Sequence, residues 1–404
     1  MRLPLSLRNL TRHRRRTAAA LAAISFSVAS VVLSGGFFDW LLKHLRESSI
    51  ESRLGHLQIT QQGYKESGIA DPFGHLLPNN SPELTTVKSL PEAKVVASRI
   101  SFSGIISHGE TSVSFLGEGV EPDKETILSK QVAIVSGENL SANDPNGILL
   151  GAGLAANLGV KPGDSVVLLA NASSGSINGV EAHVSGLFAT FTKAYDDSAL
   201  RVPLPMAQRL LRTTGVHSWV MLLHQTGQTE AALATLKNQL DTSKLQITPW
   251  YELADFYNKL AALLIRQVNV IRGIIALVVL LSISNTLIMS VMERTGEIGT
   301  LMAMGSKRRE ILGLFVSEGG FLGLLGSIIG VLLSLILASI ISAIGIPMPP
   351  PPGSDRGFTA GILLSWQTIL IAMTLVTATT LIASLYPAWK ASRLEIVDAL
   401  RHNK

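Results

Sequence analysis

The chain has no cysteine. Disulfides, thiol catalysis and cysteine-based metal sites are excluded, and a domain facing an oxidising compartment must be held by its own core. Charge is scarce too: only 16% of residues are Asp, Glu, Lys or Arg, where a soluble domain carries roughly 25%. No P-loop G-x-x-x-x-G-K-[ST] occurs in the 404 residues, so ATP hydrolysis by these residues is not expected. The nine histidines are scattered, and neither H-E-x-x-H nor a G-x-S-x-G elbow is present. Gly151-Ala152-Gly153-Leu154-Ala155-Ala156 fits G-x-G-x-x-G/A. However, the helix it opens is about two turns long and no acidic residue follows about 20 positions on, so a tight strand-to-helix turn is the better account. No cofactor is expected on this chain.

Apolar sequence is what the chain has in excess. It is 47% hydrophobic, with a mean hydropathy of +0.35. Four runs, 17–38, 273–292, 319–354 and 357–389, contain no charge. Each exceeds or meets the roughly 20 residues of helix that cross a ~30 Å hydrocarbon core. The predicted fold is a membrane protein of four transmembrane α-helices, with a large mixed α/β periplasmic domain inserted between helices 1 and 2. The spans are placed at 17–42, 266–292, 311–345 and 359–389. The first run follows Arg12, Arg14, Arg15 and Arg16, as in a secretory signal peptide. Its 22 residues exceed an h-region of about 7–15, so it is read as a permanent anchor.

No ionisable residue sits near the middle of a span, which argues against an ion-coupled carrier. Asp39, Arg272 and Glu318 fall at span ends, where interfacial roles are expected. Gly319-x-x-x-Gly323 and Gly326-x-x-x-Gly330 permit close helix approach, within the subunit or across a dimer.

Lys and Arg near span ends set orientation. The basic segment 1–16 holds six basic residues and no acidic one. The hinge 293–310 holds Arg294, Lys307, Arg308 and Arg309, and the tail 390–404 holds Lys390, Arg393, Arg401 and Lys404. The loop 346–358 holds only Arg356 and is rich in proline, which makes it stiff. Both termini and the hinge are therefore expected in the cytoplasm of a bacterial inner membrane. The net charge of +5 is this topology signal, and no nucleic-acid partner is expected. Residues 43–265 carry 17 basic and 21 acidic side chains and are placed outside.

The outer domain begins and ends with helical periodicity. Trp40, Leu41, Leu42, Leu45, Ile50 and Leu54 form one set; Leu253, Phe256, Tyr257, Leu260, Leu263, Leu264, Val268 and Ile271 form the other. The first two spans are thus expected to continue as a paired stalk. Within it, strands are expected at 56–60, 113–117 (entering a turn), 147–150, 165–169 and 219–223. Helices are expected at 151–158, 205–211 and 229–240, and a flexible loop at 171–179.

The hinge itself has a pattern. Ile298, Leu301 and Met302 form an apolar stripe at i, i+3 and i+4, with Glu293, Arg294 and Glu297 beside it. Gly305 is placed like a C-cap, and Lys307, Arg308 and Arg309 restart a helix. Such a stripe can dock into the groove of a cytoplasmic partner; the alternative is a helix lying on lipid.

Three motifs resemble the FtsX-like permease superfamily, the group containing MacB, LolC and LolE. They are Glu293-Arg294-x-x-Glu297-Ile298-Gly299-x-Leu301-x-Ala303-x-Gly305 with Ile311, Phe315 and Glu318; Gly151 to Asp164; and Tyr386-Pro387-Ala388-Trp389-Lys390-Ala391-Ser392. The resemblance implies a non-catalytic ABC transporter permease of the mechanotransmission type. Glu293, Arg294, Glu297, Ile298, Gly299, Leu301, Met302 and Gly305 would couple to a separate ATPase dimer holding ATP and Mg. A second permease copy or a homologous permease would complete the membrane part, with membrane lipid around it and an adaptor or carrier as a further periplasmic partner. Lipoprotein or lipid release is the leading cargo. Drug, peptide or small-molecule efflux, and a cargo-free regulator of cell-wall enzymes, are the alternatives. A membrane-anchored outer-face enzyme is a rival class.

Overall fold

The computed structural model describes residues 14–68, 70–130, 132–190, 193–349 and 357–394. Most of the basic segment 1–16, residues 350–356 of the proline-rich loop with Arg356, and tail residues 395–404 lie outside these. The helices used below are α1 (Arg14–Ser49), α2 (Pro82–Lys88), α3 (Pro122–Leu128), α4 (Ala152–Leu158), α5 (Leu204–Leu211), α6 (Thr229–Gln239), α7 (Asp255–Glu293), α8 (Thr295–Ala303), α9 (Arg308–Ile344) and α10 (Trp366–Ser392). A π-helical turn, Ile50–Leu54, prolongs α1.

Two compact units emerge: one from residues up to 43, 260–347 and 359 onward, the other from 44–259 and 348–358. Among the described residues four helices are long and apolar enough to cross a membrane, α1 with its π turn, α7, α9 and α10. Their apolar runs hold the α-helix because lipid offers backbone groups no other partner. α10 starts later than the expected 359. Phe358–Ala360 is instead a short strand in a two-stranded sheet with Ile346–Met348, and Ser365 caps α10 by accepting from the Thr368 N–H at 3.1 Å.

The helical unit packs on small residues. A Cβ on Gly319 would lie 2.6 Å from Ser384 Cβ, and one on Gly323 3.2 Å from Thr380 Cβ, so this pair lets α9 approach α10. A Cβ on Gly326 would meet Ile24 Cγ2 at 2.5 Å, and one on Gly330 would meet the Ser25 carbonyl at 2.7 Å, so the second pair admits α1. Both glycine pairs thus serve contacts within one subunit. Hydroxyls join the helices as well: Ser25 Oγ donates to the Gly326 carbonyl and Ser284 Oγ to the Ala383 carbonyl, each at 3.0 Å.

The α/β unit is built on a ten-stranded sheet in the order β10-β1-β9-β2-β3-β8-β5-β7-β4. The strands are β1 (Leu57–Gln61), β2 (Ala93–His108), β3 (Thr111–Val120), β4 (Ala133–Gly137), β5 (Gly147–Gly151), β6 (Ser165–Asn171), β7 (Ile177–Ala189), β8 (Ala199–Pro203), β9 (Ser218–Leu223) and β10 (Leu245–Pro249). β6 pairs with both β2 and β7, which closes six strands into a ring. One long core joins Leu84 and Val87 of α2, Leu154 and Leu158 of α4, Leu210 of α5 and Leu236 of α6 to the strands. Gly104 in β2 is where β6 comes closest: a Cβ there would lie 2.1 Å from the Leu169 carbonyl oxygen.

Two expectations change. Residues 113–117 enter no turn but lie mid-strand in β3. The segment 171–179 is no flexible loop: Asn171 pairs with Ile177, so it is a tight hairpin between β6 and β7.

Candidate functional site

The hinge is a helix of its own. α7 ends at Glu293 and α8 runs from Thr295 to Ala303. Its exit is a Schellman motif: Ser306 N–H donates to the Leu301 carbonyl at 3.1 Å and Gly305 N–H to the Met302 carbonyl at 3.0 Å. That geometry requires φ of +95° at residue 305, which glycine adopts without a Cβ clash. Gly305 is thus one step beyond the cap, with Met304 as the C-cap. Lys307 then caps α9, and the Glu310 carboxylate accepts from its backbone N–H at 3.3 Å.

The apolar stripe points inward. Ile298 is buried, and Leu301 and Met302 are half-buried against Ile311, Phe315, Ala388 and Ala391. The stripe therefore docks on the subunit's own α9 and α10 and is not free for a partner. Gly299 is buried beside it. The exposed face is largely polar, with Glu293, Glu297, Thr300, Lys307, Arg308 and Arg309, and carries one large apolar side chain, Met304.

Arg294 fastens this helix. It is buried, donates from Nε to Glu297 and from Nη1 to Glu318, both at 3.2 Å, and lies 5.5 Å from the Phe315 ring centroid. Glu318 therefore faces the protein and not lipid. It is 6% exposed, and its carboxylate is held by Arg294. Burial makes each charge depend on the other, since removing one partner of a buried pair costs about 3–5 kcal/mol. Arg16 of α1 makes an ion pair with Glu293, so the start of α1 also ties to the hinge. Asp39, which follows the charge-free run 17–38 within α1, accepts from the Thr368 hydroxyl at 2.5 Å.

A second charged cluster lies in the α/β unit, and the sequence reading passed over it. The π turn after α1 leaves carbonyls without helical partners. Buried side chains take them: Arg201 Nη2 donates to the Ser52 carbonyl at 2.8 Å, Ser129 Oγ donates to the same oxygen at 3.0 Å, and Arg99 Nη1 donates to the Arg53 carbonyl. Arg99 also holds Glu125 at 2.6 Å, and Arg201 reaches Glu125 at 3.3 Å and Glu118 at 3.6 Å. Burial pushes the Glu118 carboxyl up, but Arg53, Arg99 and Arg201 overcome it and hold it at about 2. Burial, aided by Glu118, pushes the Tyr195 phenol up to about 12, and its hydroxyl donates to Glu118 at 3.2 Å.

A relay adds to this grip. Thr226 Oγ1 donates to Glu47 at 3.0 Å, His56 Nε2 lies 3.1 Å from Thr226 Oγ1, and His56 Nδ1 accepts from the Leu223 N–H at 3.0 Å. Burial keeps this imidazole neutral, down to about 4. Charged residues inside otherwise buried strands, Arg201 in β8 above all, were the available signal.

Four long apolar helices, an inserted α/β unit and a separate helix between the second and third spans define a multi-pass membrane permease. Residues 17–239 match the MacB-like periplasmic core domain, and residues 269–396 match the FtsX-like permease C-terminal domain. The chain belongs to the MacB/LolC/LolE family of ABC transporter permeases. Among its relatives is an uncharacterised ABC transporter permease of Methanocaldococcus jannaschii, 23% identical over 99% of this chain and 97% of that one. The lipoprotein-releasing system transmembrane protein LolC of Xylella fastidiosa is 26% identical over 74% of this chain and 76% of that one. The macrolide export ATP-binding/permease protein MacB of Acinetobacter baylyi is 24% identical over 98% of this chain but 58% of its own length.

Proposed function

We propose that this chain is a permease subunit that passes motion from a cytoplasmic ATPase dimer to an external α/β domain. The carrying observation is Arg294. It joins α8 to Glu318 of α9, so a force on the exposed face of α8 is delivered to the third span and not absorbed by a loose turn. The ATPase supplies ATP–Mg hydrolysis and contacts Glu293, Glu297, Thr300 and Met304. The basic residues at the hinge and near the chain ends support a cytoplasmic position for both. At the far end of α1, Arg99 and Arg201 hold the terminal carbonyls of the helix, which suits a rod that pulls on a domain.

Two permease subunits, identical or homologous, assemble in one membrane complex. The cargo is lipidic or lipoprotein in the leading reading. The LolC relative supports it, because it covers about three-quarters of both chains. Drug or peptide efflux with a periplasmic adaptor is the second reading, supported by the MacB relative, which aligns with 98% of this chain.

The test is co-purification with the candidate ATPase and an ATPase assay on the reconstituted complex. Glu297→Lys and Gly305→Pro are expected to assemble yet lower stimulation of ATP hydrolysis roughly tenfold, which is the effect of about 1.4 kcal/mol at the coupling step. Normal stimulation in both variants would remove α8 as the coupling element.

A further inference from the structure

α7 is the span least covered by its own subunit. Of its most apolar stretch 22% is buried, against 28%, 39% and 44% in the other three spans. Val279, Ile283 and Leu287 pack inward. The opposite face carries Ile274, Val278, Leu281, Asn285 and Met292. At 3.6 residues per turn these five fall within about 60° of arc. The four apolar ones are each more than half exposed. Their steps of four, three, four and seven residues follow the 3.5-residue period along which two helices pack as a seam.

Asn285 is out of place on a face that meets lipid. It is exposed and lies about 4 Å along the axis from the middle of the charge-free run 273–292. Among the described residues no group hydrogen-bonds its amide. Gln367, the other Asn or Gln in the four charge-free runs, sits in the first turn of α10. Hydrocarbon offers an amide neither donor nor acceptor, so leaving one unmet at this depth is costly.

A second copy of the chain answers this need. Copies of one chain share one orientation in a membrane, so residue 285 of each lies at the same depth. An amide both donates and accepts, which makes Asn285 its own complement across a two-fold axis. The small-residue pairs of α9 are already taken up by α10 and α1 of the same subunit.

We propose that α7 pairs with α7 of a second copy along this seam, with the two Asn285 side chains hydrogen-bonded to each other. The pairing rests on the reading that two permease subunits share one complex, and it names the surface they share. Ile274, Val278, Leu281 and Met292 supply the packing. The amides fix which faces meet, because turning either helix away leaves both unmet.

The test uses the full-length chain, which has no cysteine of its own, in membranes and co-expressed with the candidate ATPase. The mass of the purified complex counts the copies, and two are expected. Val278→Cys and Leu281→Cys, oxidised with copper–phenanthroline, are expected to give a disulfide-linked dimer of this chain. Ile382→Cys, equally exposed but on α10, is expected to give none. In the Leu281→Cys chain, Asn285→Leu is expected to slow cross-linking about threefold to tenfold without lowering Tm, because the side chain is exposed. Asn285→Gln, which keeps the amide, is expected to restore most of the rate. Two copies without a disulfide from either seam position would overturn this seam and leave the paired complex standing. One copy per complex would overturn both. An undiminished rate in Asn285→Leu would show that the amide joins no partner, and would overturn the pairing.

Discussion

The hinge and the far end of α1 solve one problem in opposite ways. At the hinge, one buried arginine, Arg294, faces two carboxylates, and a polar face stays open to solvent. In the α/β unit, Arg53, Arg99 and Arg201 face Glu118 and Glu125, and the surplus cation is met by the carbonyls that end a helix. Those carbonyls carry the negative end of the helix dipole, so the arrangement is close to neutral. The comparison teaches where each region can give way. The hinge is fastened on one side and exposed on the other, as a transmitted contact must be. The cluster is buried apart from Arg53, as an anchor must be.

The comparison can be broken in order of effect. Arg201→Met should be the most damaging change, because Glu118 and Glu125 lose a buried cation and Ser52 loses a donor. A loss of about 4 kcal/mol is expected, read as a lowered midpoint in the Trp219 fluorescence of the α/β unit during denaturant unfolding. A result within about 1 kcal/mol of the parent would remove the anchor.

Acid should loosen the same region in two steps. His56 is neutral when folded and keeps that form down to about 4. The unfolded chain takes up its proton from about 6.5, so stability is full above that pH and falls as pH drops toward 4. Glu118 is held at about 2. Its contribution, roughly 3 kcal/mol, is present above about 4.5 and lost as pH falls toward 2. His56→Gln should flatten the first step and leave the second, as measured by denaturant midpoints across pH.

Glu318→Gln sharpens the other side. It leaves Arg294 without a buried counter-charge in α9, at a cost of about 3 kcal/mol. The expected outcome is retained ATPase binding with impaired stimulation, whereas loss of binding alone would show that α8 merely docks. Smallest is Gly305→Ala, which should cost about 1 kcal/mol through its positive φ alone, since nothing lies within 4 Å of the added Cβ. Its measure is the thermal midpoint of the purified chain.

Much of this was legible because lipid imposes a simple rule. A charge-free run of about 20 residues has few fates, so 17–38 and 273–292 fall inside observed helices, and so does the part of the third run up to Ile344. The hinge stood out because charge returned between two such runs, and Gly305 marked its end. The stripe of Ile298, Leu301 and Met302 showed that something covers α8 but not what; only the fold places Ile311, Phe315 and Ala391 there. β2 escaped notice because Ser101, Ser103, Gly104 and Ser107 interrupt its apolar pattern, and because its first part pairs with β9 while the rest pairs with β3 and β6. The arginine cluster was illegible for another reason. Arg201 and Ser52 are brought together across 149 residues, and no local spacing encodes that meeting.

The absence of cysteine supplies the most direct test of the central claim, that the outer polar face of α8 is what the ATPase touches. Single cysteines at Thr300, Met304 and Ile298 can be introduced into an otherwise thiol-free chain, co-expressed with the ATPase and treated with a short thiol-to-amine cross-linker. The account predicts cross-linked permease–ATPase product from Thr300→Cys and Met304→Cys and none from Ile298→Cys. Product from Ile298→Cys, or none from either exposed position in a complex that still hydrolyses ATP, would contradict it.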